Sequence, residues 1–223
     1  MFVALIPAKG KSSRLKGKNF IHINKKPLIY FTLKFANQSK EIKRSYVSSD
    51  NQQILNYSKN HKMDIIKRPD NISQNNTPMN KVILHFIKYL KNKKIKPKTI
   101  ILLQPTSPLR PKKLLDKLIK IYKRKKYTSL MTIKKIDKSN LKSLIRIKKN
   151  KYQPIYNKKY LYYNTQKLPD LFKLNGSIFI FETKEFLKNK MIPMNNCYFH
   201  ILKGKYNLDI DTKDDLKLAK KIM

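Results

Sequence analysis

The chain has 223 residues, with 52 Lys+Arg against 13 Asp+Glu, a formal net charge of +39. Hydrophobic residues at 40%, together with the lack of any internal repeat, exclude a disordered tail, a coiled coil, and a collagen-like or solenoid architecture. The apolar runs Met1 to Ile6 and Ile100 to Leu103 fall far short of the ~20 residues a membrane-spanning helix needs, no basic segment precedes the first of them as in a secretion signal, and Cys197 is the only cysteine, so a soluble protein of the reducing cytoplasm is expected.

Phe2 to Ile6 predicts a buried strand ended by Pro7, followed by a polar loop. From Pro27 the positions Leu28, Ile29, Phe31, Leu33 and Phe35 predict an amphipathic helix ending near Asn37. A strand is expected at Arg44 to Ser48, a helix from Asn51 to about Asn60, and a strand near Met63 to Ile66. Thr77 and Pro78 look like the N-cap and first residue of a helix carrying Val82, Ile83, Phe86, Ile87 and Leu90. Thr99 to Gln104 predicts another buried strand, broken by Pro105. This alternation gives an α/β architecture with a mostly parallel central sheet flanked by helices, in which ligands sit beyond the carboxyl ends of the strands. The stretch 134–172, rich in Lys, Tyr and Asn, breaks the pattern and reads as an inserted excursion that covers substrate or meets a partner subunit. A strand at Ser177 to Phe181 and a last helix close the chain. No linker-like tract divides it, so residues 1–223 are expected to form a single domain.

A net charge this positive attracts polyanions. The six arginines are nevertheless few beside the lysines, and the lysines are spread along the whole chain rather than gathered on one segment. A nucleic-acid interface ordinarily exploits the bidentate guanidinium. The charge is therefore read as a solvated surface, with a non-catalytic polyanion-binding protein kept as an alternative.

Four segments can carry chemistry. Glycine occurs only 4 times, and Gly10 and Gly17 both stand in the first loop. Between and around them lie Lys9, Lys11, Ser12, Ser13, Arg14, Lys18 and Asn19, a composition in which N–H groups, hydroxyls and cations can converge on phosphate. The spacing fits neither a Walker loop nor the three-glycine dinucleotide pattern, and a plain basic turn remains open. The second loop, LLQPTSPLR from Leu102 to Arg110, offers the amide of Gln104 with Thr106, Ser107 and Arg110. It is otherwise a stiff strand-to-helix connection. Asn175 and Gly176 precede the strand at Ser177. Asp209 and Asp211 stand at alternate positions, hence on one side of an extended segment, where they could bracket Mg²⁺. Alternatively, Asp211 is the N-cap of the last helix, with Asp214 and Asp215 favouring its positive end.

In this order, IPAKGKSSRLKGKN (Ile6 to Asn19), LLQPTSPLR, LPDLFKLNGSIFIF (Leu168 to Phe181) and DIDTKDDL (Asp209 to Leu216) resemble the acylneuraminate cytidylyltransferases over nearly the whole chain. The resemblance implies a Rossmann-like nucleotidyltransferase fold and a homodimer. It also implies transfer of CMP from CTP, with Mg²⁺, to the anomeric hydroxyl of a nine-carbon 2-keto acid sugar such as sialic, legionaminic or pseudaminic acid. An eight-carbon keto-deoxy sugar is the alternative substrate. Carried over by position, Lys9, Gly10, Ser12, Arg14, Lys18 and Asn19 surround CTP. Gln104, Asn175, Phe179 and Gln166 match the sugar site, and Asp209 and Asp211 match the metal carboxylates, with Lys18, Asp209 and Asp211 as the catalytic set. The chain departs from the family pattern at Lys9, where an arginine is usual, at Lys11 and Lys16, where Gly and Pro are frequent, and at Thr165, where an arginine precedes Gln166. Lys142 or Lys173 is then the candidate partner of the sugar carboxylate. His22, His61, His85 and His200 lie outside the motifs and are expected to be structural or exposed.

Overall fold

A computed structural model describes residues 1–148 and 151–223. Its frame is a seven-stranded sheet of β1 (Phe2–Pro7), β2 (Arg44–Ser49), β3 (Asp64–Lys67), β4 (Thr99–Leu103), β5 (Ser129–Ile136), β6 (Leu171–Glu182) and β7 (Cys197–Leu202), in the spatial order β7-β5-β6-β4-β1-β2-β3. Six strands run in one direction, and β6 alone is antiparallel to both its neighbours. The helices are α1 (Leu28–Asn37), α2 (Gln52–Asn60), α3 (Met79–Asn92), α4 (Leu114–Lys125), α5 (Asn140–Ser143), α6 (Thr183–Asn189) and α7 (Lys213–Ile222).

Alternation along the strands divides the apolar residues between two cores. Ala4 and Ile6 of β1 face one side with Ile29 and Leu33 of α1, Ile54 of α2, and Leu115, Leu118 and Ile119 of α4. Val3 and Leu5 face the other side with Ile83, Phe86 and Leu90 of α3 and Phe186 of α6. Phe86 is fully buried, and its truncation to Ala would cost about 3–5 kcal/mol. A third cluster, of Leu15, Ile23, Leu28, Leu208, Ile210 and Ala219, packs α7 beneath the first loop. The end of the chain is thereby brought against its beginning.

The expected elements up to residue 104 are present within a residue or two, and Asn51 caps α2 by accepting from the Ile54 N–H at 3.0 Å. Two cap assignments change. Pro78, rather than Thr77, occupies the N-cap position of α3, with no side-chain capping bond. Thr212, rather than Asp211, caps α7, in a capping box with Asp215. A hydroxyl one residue on satisfies the helix and leaves the Asp211 carboxylate free for other partners. The expected excursion 134–172 is shorter in the structure, because 134–136 and 171–172 are strand residues of β5 and β6. Between these strands lie α5, an antiparallel hairpin of Ile145–Lys148 with Lys151–Pro154, and two 3-10 turns. Residues 149 and 150 of the excursion lie outside the described residues.

The direction of β6 decides where the excursion goes. Ile178 is paired with Leu103, the last residue of β4, so the part of β6 before Ile178, still paired with β5, projects past the carboxyl end of β4. The chain between β5 and β6 leaves and re-enters over that end.

Candidate active site

At the carboxyl ends of β1 and β4 a cleft of ≈ 230 Å³ is lined by Lys9, Ser12, Arg14, Lys18, Asn19, Gln104 and Thr106, with Asn75 and Met79 closing one side. Its floor is fixed by bonds between side chains and the backbone. The Asn19 side-chain amide donates to the Lys9 carbonyl at 2.8 Å, the Ser12 hydroxyl donates to the Leu15 carbonyl, and the Gly10 N–H donates to Asp50 Oδ1 at 2.8 Å. An added Cβ at Gly10 would stand 2.5 Å from Asn51 Cβ, so only glycine lets the loop lie this close to the α2 N-terminus. Gly17 has φ 63°, which turns the chain into the short helical turn carrying Lys18 and Asn19.

The cations of the cleft are held by few anions. Lys18 Nζ lies 2.6 Å from Asp211 Oδ1, and Arg14 Nη1 lies 3.0 Å from Asp211 Oδ2. Lys9 Nζ donates to Asn75 Oδ1 at 2.6 Å. Desolvation lowers the Lys9 pKa, opposed by Asp50 and assisted by Arg68 and Lys18. Arg68 is 4% exposed and donates to the Ser48 carbonyl at 2.6 Å and to its hydroxyl at 3.2 Å. Burial lowers its pKa, with Asp50 opposing. One end of the cleft is therefore a positive concavity suited to phosphate groups.

The other end is rigid and largely neutral. Between Leu174 and Phe179 the β5–β6 register slips, and the bulge holds Asn175, Gly176 and Ser177. Asn175, 4% exposed, accepts on Oδ1 from the Thr132 hydroxyl at 2.6 Å and from the Ser177 N–H at 3.1 Å. It thus serves the bulge. Gly176 has φ 76°, and a Cβ there would meet Gln104 Oε1 at 2.8 Å, so the Gln104 amide is seated against the glycine. Arg110 turns inward. Its guanidinium, 9% exposed, donates to Thr32 Oγ1 at 2.9 Å, to the Gln104 carbonyl at 2.8 Å and to the Ser177 carbonyl at 3.0 Å, and it lies over the Phe35 ring. Burial lowers its pKa to about 9, with Asp209 opposing.

The two aspartates differ. Both oxygens of Asp211 face cations, whereas Asp209 Oδ1 is buried with no hydrogen-bond partner. The Ile210 N–H donates to the Thr106 carbonyl at 2.8 Å, which stitches the carboxylate segment to the second loop. Among the described residues no three His, Cys, Asp or Glu side chains group as a metal cage. The donor set nevertheless suits Mg²⁺, which takes hard oxygen ligands and commonly uses only one or two carboxylates beside substrate phosphates. An unpartnered buried carboxylate oxygen is such a ligand.

Of the residues expected at the site, Lys9, Ser12, Arg14, Lys18, Asn19 and Gln104 line one cleft, and Gly10 and Asp211 adjoin it. Phe179 does not. It is packed with Met131, Leu102 and Phe181 in the α3-side core, because that strand position faces inward. Lys142, Gln166 and Lys173 belong to the excursion and the start of β6. Gln166 and Lys173 are exposed, with Lys173 in register with Lys134. Lys138, also in the excursion, donates to the Gln166 and Leu168 carbonyls at 3.0 and 3.1 Å. Asp50, Arg68 and Asn75 were not foreseen. Asp50 and Asn75 meet the first loop, and Arg68 meets Ser48, only through folding, though the acidic Asp50, at the end of a strand beside a helix cap, is a readable signal in so basic a chain.

Residues 3–221 match the sequence family described as cytidylyltransferase. The chain belongs to this family. It is 27% identical over 220 residues to the N-acylneuraminate cytidylyltransferase of Escherichia coli O18:K1:H7, covering 97% of this chain and 51% of that protein. It is also 27% identical over 225 residues to the CMP-N,N'-diacetyllegionaminic acid synthase of Legionella pneumophila, covering 99% of this chain and 95% of that one. The chain thus spans about half the length of the first relative and nearly all of the second. Among solved structures, CMP:2-keto-3-deoxy-manno-octonic acid synthetase complexed with CTP superposes with a TM-score of 0.72 at 16% identity, covering 100% of this chain and 98% of that one. The fold is thus the Rossmann-like one of nucleotidyltransferases.

Proposed function

We propose that this cytidylyltransferase transfers CMP from CTP to the anomeric hydroxyl of a nine-carbon 2-keto acid sugar and releases pyrophosphate. The observation that carries the reading is the convergence of Lys9, Arg14 and Lys18 on one cleft, where Asp211, from the far end of the chain, pairs with both Arg14 and Lys18. The names of the two sequence relatives support the sugar class. The fold neighbour of the eight-carbon sugar, at 16% identity, speaks to architecture alone.

In this reading the first loop binds the triphosphate, and its ammonium and guanidinium groups neutralise charge on the α-phosphate and on the departing pyrophosphate. Gln104, pressed against Gly176, orients the sugar, so that the attacking hydroxyl is held in line with the α-phosphorus. Asp209, with Asp211, would hold Mg²⁺, which supplies charge neutralisation and a lowered hydroxyl pKa when bound. Lys142, Lys173 or Lys138 supplies the positive charge for the sugar carboxylate.

We read residues 1–223 as one cytidylyltransferase domain acting in the cytoplasm as a homodimer. Phe199 and Ile201 of β7 and Phe172 and Leu174 of β6 are exposed. Register pairs Ile201 and Leu174 with Ile133, and Phe199 with Met131, so these side chains share a face of the sheet. Such a stripe suits a second copy. No helix among the described residues is long and apolar enough to cross a membrane.

The deciding experiment is pyrophosphate release with CTP and Mg²⁺ against N-acetylneuraminic, legionaminic, pseudaminic and 3-deoxy-octulosonic acids, with ATP, GTP and UTP as controls. Release that depends on CTP and a nine-carbon sugar is expected. Release only with the eight-carbon acid would replace the sugar assignment, and none from folded protein would overturn the activity.

A further inference from the structure

Asp209 and Asp211 occupy equivalent-looking positions two residues apart, yet only Asp211 is held in close ion pairs. Asp211 Oδ1 is 2.6 Å from Lys18 Nζ, and Asp211 Oδ2 is 3.0 Å from Arg14 Nη1. Asp209 Oδ1 is buried without a hydrogen bond. The backbone holds Asp211 firmly, since its N–H donates to Asp215 Oδ2 at 3.0 Å at the start of α7. Its two cations come from a loop instead. The Lys18 side chain is 13% exposed and that of Arg14 69% exposed, so one ion pair is sheltered and the other open to solvent.

We propose that Asp211 is a stand-in anion for the nucleotide's phosphates, arranging the cations of the first loop before a triphosphate arrives and surrendering them to it. The proposal rests on the reading of the cleft as a CTP site. An ammonium or guanidinium that turns to phosphate must loosen its hold on the carboxylate. Asp211 and the triphosphate therefore compete for the same charges. Whatever weakens the internal pair therefore strengthens the external one, by at most the factor by which the pair itself is weakened. A carboxylate released from two cations also attracts a divalent ion more strongly, so nucleotide and metal should each strengthen the other's binding.

The sign of one substitution separates this role from simple positioning. If Asp211 only props up Lys18, its loss lets the lysine wander and weakens CTP binding. If it is a competing anion, its loss tightens binding when no divalent ion is present. The experiment is calorimetric titration of CTP, and of cytidine as a phosphate-free control, into wild-type protein, Asp211→Asn and Asp209→Asn in EDTA. Asp211→Asn should bind CTP about three- to tenfold more tightly, the range for releasing one sheltered and one exposed ion pair. Cytidine affinity should not follow, and Asp209→Asn should shift CTP binding less. Unchanged or weaker CTP binding by Asp211→Asn, an equal gain with cytidine, or an equal gain in Asp209→Asn overturns the proposal.

Asp211→Ser, checked with the first variant by circular dichroism and thermal melting, guards against a folding defect. Failure of both to fold makes Asp211 a structural keystone and also overturns the proposal. Wild-type protein that binds no CTP with or without Mg²⁺ refutes the nucleotide site itself, and the stand-in role with it. CTP binding by the wild type without the gain in Asp211→Asn refutes the stand-in role alone.

Discussion

Two ends of one cleft are built on opposite plans. The first loop presents long cationic side chains held by exchangeable partners: Lys9 by the Asn75 amide, and Lys18 and Arg14 by the single carboxylate of Asp211. The junction of the second loop with the β6 bulge is made of buried polar groups bonded to carbonyls and to one another, with Arg110 and Asn175 as its fixed points. A site that must bind a highly charged group benefits from charges that can change partner, whereas one that must recognise the shape of a neutral ring or hydroxyl needs groups that cannot move. Substitutions should accordingly act on affinity at the first end and on fold and geometry at the second.

The largest effect is expected at Arg110. Arg110→Met takes the guanidinium donor from the buried Ser177 carbonyl and one of two donors from the Gln104 carbonyl, which keeps the Ser107 N–H at 3.3 Å, and a loss of about 2–3 kcal/mol follows if an orphaned buried acceptor costs ~1–3 kcal/mol. Urea denaturation measures it, and a loss below 1 kcal/mol, an order-of-magnitude threshold set by an ordinary surface change, would dissolve the distinction between the two ends. Gly176→Ala should come next, at about 1–2 kcal/mol of stability for a side chain at positive φ. Because Gln104 is pushed aside, it should also lose about tenfold in kcat/KM for the sugar, with KM for CTP little changed. Steady-state kinetics in both substrates would reveal an error if CTP suffered equally.

Lys18→Gln removes the sheltered cation and should raise KM for CTP roughly tenfold, the scale of one charge-assisted hydrogen bond, while leaving thermal stability within a degree or two of the wild type. A collapse in stability would mean that the first loop is as rigid as the second. The smallest effect is a pH dependence. Desolvation lowers the Lys9 pKa, so this lysine gives up its proton at lower pH than an ordinary lysine, and CTP affinity should decline as pH rises toward the usual lysine range. Lys9→Arg should flatten that decline a few-fold, because guanidinium stays charged throughout. Parallel titrations of the two proteins from about pH 7 to about pH 10 would expose a different titrating group if the curves coincide.

What the sequence made legible was local. Strands stopped at Pro7 and ahead of Pro105, the cap at Asn51 and the glycines of the first loop announce themselves through short-range chemistry. The fate of Phe179 was not legible, because neighbouring positions of one strand face opposite sides and the parity across the Asn175 bulge is set by pairing. The same holds for Asp211. An aspartate before a helix is a plausible cap, but Thr212 stands one residue nearer, and the cations that claim the carboxylate lie nearly the whole chain away. Asp50 and Asn75 are not legible as site residues from sequence, because their partners, Gly10 and Lys9, are neighbours only after folding. The reversal of β6 has the same origin: Ser177 to Phe181 reads as a buried strand whichever way it runs.

That reversal also shapes how such a molecule can diversify. Because β5 ends and β6 begins at the carboxyl edge, the 137–170 segment can lengthen, shorten or change its side chains without disturbing strand register. The first loop, proposed to face phosphate, follows a different strand, so on that reading a lineage could exchange one acceptor for another while its nucleotide chemistry stays inherited.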